Sequence, residues 1–364
     1  MIEALWASIF IAVMATGYVR GEEGRAYGKN GTSVVFIQDT ALKKIDVLFN
    51  GHLFTTFRYA DTLEKPVFYP VYTPSGVVVT RGYPIDPKQG ERIDHFHHSG
   101  LWLNYGNVNG LDFWNNSRTI PAEKRCHYGK IICSENSISV NREDGSLKTV
   151  CLWIDCRGQV LLEEKTIYLF TLESQQVCSM KRFTRLTAIA DSVVFGDSKE
   201  GLLGIRAARS FEMPVAKPVV LYDTILGIKS EPRIDSTGVN GSYTGSNGLS
   251  GKAVWGTRNS WVTLSAVCEG DSISIAMADH PANHGFPSYW HARDYGLFSV
   301  NNFGVKSYDP QQTEARLVLK KDESITFRHL LLVKSGGFLS GEEMEGYARR
   351  FWDNGNKKLV ASDE

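Results

Sequence analysis

From Thr32 to about Ser335 the chain alternates apolar runs of four to eight residues with turn signals, a rhythm that leaves little room for anything but β structure. The runs include Ser33–Ile37, Lys44–Phe49, Gly76–Thr80, Thr149–Ile154 and Thr166–Phe170, then Trp261–Ser265, Ser272–Ala276 and Phe327–Val333. They are rich in β-branched and aromatic residues, whose stiff or flat side chains pack well on a pleated surface. Asn50-Gly51, Asn109-Gly110, Glu143-Asp144-Gly145 and Asn247-Gly248 fall between runs, and Asn and Gly tolerate the positive φ of a hairpin turn. Helical periodicity is almost absent here. The expectation is one all-β domain over 32–356, built as a large antiparallel β-sandwich.

The C-terminus departs from this pattern. Ser340-Gly341-Glu342-Glu343 is a capping box, and Met344, Tyr347, Ala348, Phe351 and Trp352 then recur with helical spacing. One amphipathic helix over 340–353 is expected, ended by Asn354-Gly355 and followed by a mobile tail, 357–364. At the other end, residues 4–15 carry no charge, and Ala15-Thr16-Gly17 has the small-x-small form of a cleavage site. Residues 1–17 therefore read as a signal peptide, followed by an N-terminal segment 18–31, which implies a periplasmic or secreted protein. No later stretch is long enough to span a bilayer, so no stable membrane insertion is expected after removal of that peptide. Lys plus Arg equals Asp plus Glu at 40 each, which supplies no basic surface for nucleic acid.

Six cysteines show neither a CxxC pair nor zinc-ligand spacing and read as core thiols, with a Cys126–Cys133 disulfide across a hairpin as the alternative. The histidines are more telling, because six of nine fall in two short segments. The first runs from Asp94 through His95, His97, His98, Trp102, Asn104 and Asp112 to Trp114. If extended, it turns His95 and His97 to one side and Asp94, Phe96 and His98 to the other. The second holds Asp279, His280, Asn283, His284, Trp290, His291, Arg293 and Tyr295 in a Pro- and Gly-punctuated loop. Burying so many imidazoles requires as many hydrogen-bond partners, so a functional site is the better reading of the clusters. A third segment, Phe195 to Arg206, adds Lys199-Glu200 as a tunable carboxylate and Arg206 as a fork for paired oxygens.

These stretches resemble the bacterial proteins catalogued as the "methane oxygenase PmoA" family. The resemblance rests on Asp94–Trp102 with Asn107–Trp114, Phe195–Arg206, Asp279–Asn283 and Trp290–Leu297, and extends from about Arg81 onward. Ser99 stands where that family's pattern has Arg after the paired histidines. A membrane monooxygenase subunit would need several transmembrane helices, which this chain lacks after Gly17. The resemblance instead implies a galactose-mutarotase-like β-supersandwich that binds or transforms a sugar on a concave sheet.

Three functions compete. The first is a carbohydrate-acting enzyme of hydrolase, lyase or epimerase type, needing no cofactor. His97 or His98 would be one proton-transfer group and Glu200 or His291 the other. Arg206 and Arg293 would hold substrate oxygens and Trp102, Trp114 or Trp290 would stack on the ring, with Asp94, His95, Asn104, Asp112, His280 and Asn283 as further contacts. The second is an oxygenase-like enzyme with a divalent metal on His95, His97 and His291. The third is a non-catalytic glycan-binding protein, which leaves the histidines without a task. The first ranks highest, and segments 94–114 and 279–294 are expected to meet in one pocket.

Overall fold

Hairpin turns return many strands beside the one before, and among the described residues every ladder between strands is antiparallel. A computed structural model describes residues 23–27, 33–140, 145–225 and 227–359. Among these, a ten-stranded and an eight-stranded sheet face one another as a sandwich. Their facing side chains merge into one core, in which Phe36, Phe57 and Leu101 of the first sheet meet Leu147, Trp153 and Tyr168 of the second. Asn50-Gly51 and Asn109-Gly110 take the expected left-handed backbone, with φ of 51 and 83 degrees, then 53 and 78 degrees. Gly76–Thr80 is an exception to the strand reading, since Val78 and Thr80 make only isolated bridges.

Both ends of the domain differ from expectation. Residues Glu23–Tyr27 pair with Ser33–Asp39, so the sheet begins before residue 32. The proposed signal peptide lies outside the described residues. The helix spans Gly341–Leu359 and passes through Asn354-Gly355 instead of stopping there. An interior glycine costs a helix only about 1 kcal/mol, and no proline follows to break it. The capping box forms as read: Glu343 N–H donates to Ser340 Oγ at 3.2 Å, and Ser340 N–H to Glu343 Oε2 at 2.8 Å. Met344, Ala348 and Phe351 then cover the outer face of the eight-stranded sheet over Phe183, Ala276 and Leu330.

All six cysteines are free thiols, which corrects the Cys126–Cys133 alternative. Cys133 faces Cys151 across a strand pair instead, and the Cys126 thiol lies beside that of Cys156.

Three short strands of the ten-stranded sheet position the site. Leu101–Leu103 pairs with Leu203–Arg206, which pairs with Leu297–Asn301. Because both pairings are antiparallel, segments 94–100, 207–212 and 291–296 emerge at one end of this trio.

Candidate functional site

The histidine segment is a turn, not a strand. His98 N–H donates to the His95 carbonyl at 2.9 Å, and His95 adopts a φ of 45 degrees. A left-handed backbone at a residue with a Cβ costs about 1–2 kcal/mol, so surrounding structure must impose it. Arg81, only 1% exposed, does so. Its Nη1 donates to Asp94 Oδ1 at 2.6 Å and to the Asp94 and Arg92 carbonyls at 3.0 and 3.3 Å. Its Nη2 donates to the His95 and His98 carbonyls, both at 3.0 Å. Lys65, also buried, donates to the His97 carbonyl at 2.7 Å.

Within this frame the rings form a ladder. Tyr295 stacks on His95 at 4.6 Å, His95 on His98 at 4.9 Å, and His98 on Trp102 at 5.4 Å. The turn places His95 over His98, three residues on, which corrects the alternating reading of the segment. His97 packs edge-on against His98 at 4.2 Å. The outer rings are accessible and the inner ones are not: His95 is 37% exposed, whereas His98 and Trp102 are each 1% exposed.

Buried arginines set the electrostatics. Burial alone would raise the Asp94 carboxyl, but Arg206, the hydrogen bond from His95 and Arg81 together hold it well below the usual carboxylate range. Arg206 Nη2 donates to Asp94 Oδ1 at 2.8 Å, and His95 Nδ1 lies 3.3 Å from the same oxygen. The partly buried Glu200 carboxyl moves the other way, raised by burial against the pull of Lys199. Burial, then the neighbouring Lys65 and His95, pushes His97 down to about 2, and burial then Arg293 pushes His291 down to about 3. Both rings are therefore neutral near pH 7. Lys65 itself is pushed down to about 7 by burial.

The two expected segments meet, though only in part. His95 and Asp94 come together with Arg293 and Tyr295, while Glu200 enters from the opposite end of the strand trio. His291 lies behind them, 2% exposed, with its Nδ1 3.4 Å from Trp255 Nε1. His280 and Asn283 are not at this face. Asn283 Nδ2 donates to the buried Asp279 carboxylate at 2.6 Å, and the His280 ring packs against Phe351 of the helix. Trp290 is buried and donates to the Asn259 carbonyl at 2.8 Å.

Burial also corrects other expected contacts. Trp102 and Trp114 are enclosed and pack on one another at 5.1 Å, so neither presents a face to a sugar. Asn104 is spent on Trp102 Nε1 at 3.0 Å and the Phe113 carbonyl at 2.6 Å. Asp112 accepts from Asn115 N–H at 2.9 Å and from its Nδ2 at 2.7 Å. Arg206, fully buried, orients Asp94 and does not reach solvent. His98 is enclosed likewise, which removes it as a group that meets substrate directly. The metal set is not assembled either: among the described residues no three His, Cys, Asp or Glu side chains converge as ligands.

Four residues escaped the reading of the sequence. Arg81 and Lys65 lie in ordinary strand-and-turn sequence with no motif around them. Tyr295 was within the second segment but carried no distinguishing neighbour. Trp255, 37% exposed, was the most findable, as a lone large ring just beyond the Gly- and Ser-rich stretch 232–251.

With this geometry in view, comparison with known proteins places the chain. A model of a family of unknown function, DUF6807, matches residues 44–349. The chain belongs to that family. This corrects the resemblance to the methane oxygenase PmoA family, since the matching model indicates no such membership. Among the described residues no helix is long and apolar enough to cross a membrane. No curated protein matches this DUF6807 chain. Among solved structures it is similar to heparan sulfate lyase HepC from Pedobacter heparinus, at 10% identity and a TM-score of 0.33, over 86% of this chain and 36% of the lyase. A beta-arabinopyranosidase aligns at 10% identity and a TM-score of 0.30, over 85% of this chain and 40% of that one. The chain thus spans well under half the length of either structure, and likenesses this weak carry no argument about activity.

Proposed function

We propose that this protein acts on a carbohydrate by proton transfer at the face where residues 94–98 meet 291–295. The observation that carries this reading is the Asp94–His95 pair. Two buried guanidinium groups keep Asp94 ionised behind an exposed imidazole, 3.3 Å from its Nδ1. A carboxylate so placed holds the proton on Nδ1 and leaves Nε2 as an outward-facing base. Glu200, its carboxyl raised by burial, supplies the proton-bearing partner. The exposed Trp255 offers an apolar ring on which a sugar face can rest.

The test is turnover of a glycoside panel by wild type, His95→Ala and Glu200→Gln. Positioned acid or base groups contribute roughly 10²–10⁴-fold each, so each variant should lose activity on that scale while melting within a few degrees of wild type. Undiminished turnover by His95→Ala would overturn the assignment. Sugar binding without any turnover by the wild type would leave a glycan-binding protein instead.

A further inference from the structure

We infer that the carbohydrate bound at this face is acidic, and that Arg293 receives its carboxylate. The inference rests on the proposed function and names the substrate class for the same site.

The other arginines at this face spend their charge on neighbouring acids, and Lys217 lies exposed at the rim. Arg81 and Arg206 are committed to Asp94, and Arg92 and Arg209 to Glu212. Lys252 lies 3.4 Å from Asp294, and Lys199 lies 3.8 Å from Glu200. Arg293 is different. Its guanidinium has no hydrogen-bond or ion-pair partner among the described residues, although it is partly buried. Two rings flank it instead, Tyr295 at 5.6 Å and Trp255 at 5.9 Å.

Rings lying against a guanidinium restrain it without using its N–H groups, which leaves the donor edge for a ligand. Partial burial raises the worth of a charge-assisted bond there, because water competes less well. A carboxylate fits this fork through two parallel N–H···O bonds, and matches its single charge. The neighbouring acids do not oppose it. Asp94 is neutralised by two arginines, Asp294 faces Lys252, and Glu200 faces Lys199. A neutral sugar would leave the Arg293 donors facing only hydroxyl groups.

The experiment uses the full chain and a panel of uronic acid oligosaccharides, each beside its methyl ester, with sulfated and neutral oligosaccharides as further arms. The ester keeps the shape of the acid and removes its charge. Titration calorimetry should show the free acid of at least one member binding about tenfold or more tighter than its ester, a difference of about 1.4 kcal/mol. Arg293→Gln should abolish that preference at unchanged melting temperature, and Arg293→Lys should keep part of it. Equal affinity for acid and ester, a preference for the sulfated arm, or a preference that survives Arg293→Gln would each overturn the inference while leaving the carbohydrate reading intact. Failure of every oligosaccharide to bind would overturn both.

Discussion

Replacing Arg81 by Met would remove the one guanidinium that serves the Arg92, Asp94, His95 and His98 carbonyls at once, and would leave Arg206 as the remaining buried arginine on the Asp94 carboxylate. Breaking a buried pair by removing one partner costs about 3–5 kcal/mol, and urea denaturation of Arg81→Met should show a loss of that size. A loss below about 1 kcal/mol would mean that the turn holds itself. The buried histidines add a pH dependence of definite sign. Burial pushes His97 down to about 2, His291 and His329 to about 3, and His280 to about 4. Unfolded histidines titrate near 6.5, so below that pH the unfolded chain takes up protons that the folded chain refuses. Stability should therefore fall as pH drops from about 6.5 toward 4, by about 1.4 kcal/mol per pH unit for each such proton. Asp279, raised to about 6 by burial, keeps its proton in the folded state and offsets about one of them. Melting temperatures that stay level from pH 7 to pH 5 would contradict this account.

Among the elements, the strand pair Lys130–Val140 and Gly145–Ile154 shows how register decides chemistry. Spacing alone left a Cys126–Cys133 link open, but Cys133 stands opposite Cys151 in the ladder. Directly opposed residues of antiparallel strands have Cα atoms about 4.5–5.5 Å apart, within the span of a disulfide. Incubation with oxidised glutathione should accordingly join Cys133 to Cys151, and Cys126 to Cys156, as read by peptide mapping under non-reducing conditions. Recovery of a Cys126–Cys133 peptide would show that the register is wrong. The turn at 94–98 teaches the converse. Its alternating side chains read as a strand, yet Arg81 gathers its carbonyls on one side and closes it into a loop.

For the molecule as a whole, the C-terminal helix completes the sandwich by covering Val177, Phe183, Leu330 and Leu332 on the outer sheet face. Deleting residues 340–364 would expose that apolar patch to water. The truncated chain should bind a hydrophobic dye and sediment as aggregates, whereas a soluble monomer with wild-type dye binding would show that the helix is dispensable. The β class, the main hairpins and this helix were all legible, since each follows from periodicity and turn or cap chemistry within a dozen residues. The site was legible only as a concentration of histidines. Which of them reach solvent depends on contacts such as Arg206 to Asp94, 112 residues apart in sequence.

By itself, then, the sequence determined an antiparallel sandwich with one capping helix, and a concentration of histidines in two segments. Those outcomes rest on local terms: side-chain alternation, the φ tolerance of Asn and Gly, and the reciprocal bonds of a capping box. Only the tertiary structure decided that His95 and Tyr295 stand outermost while His98, Trp102 and Trp114 are enclosed, and that His280 belongs to the helix side. The reason is physical. Burial and charge pairing depend on which side chains long-range packing brings within a few ångströms, and no residue spacing along the chain carries that distance.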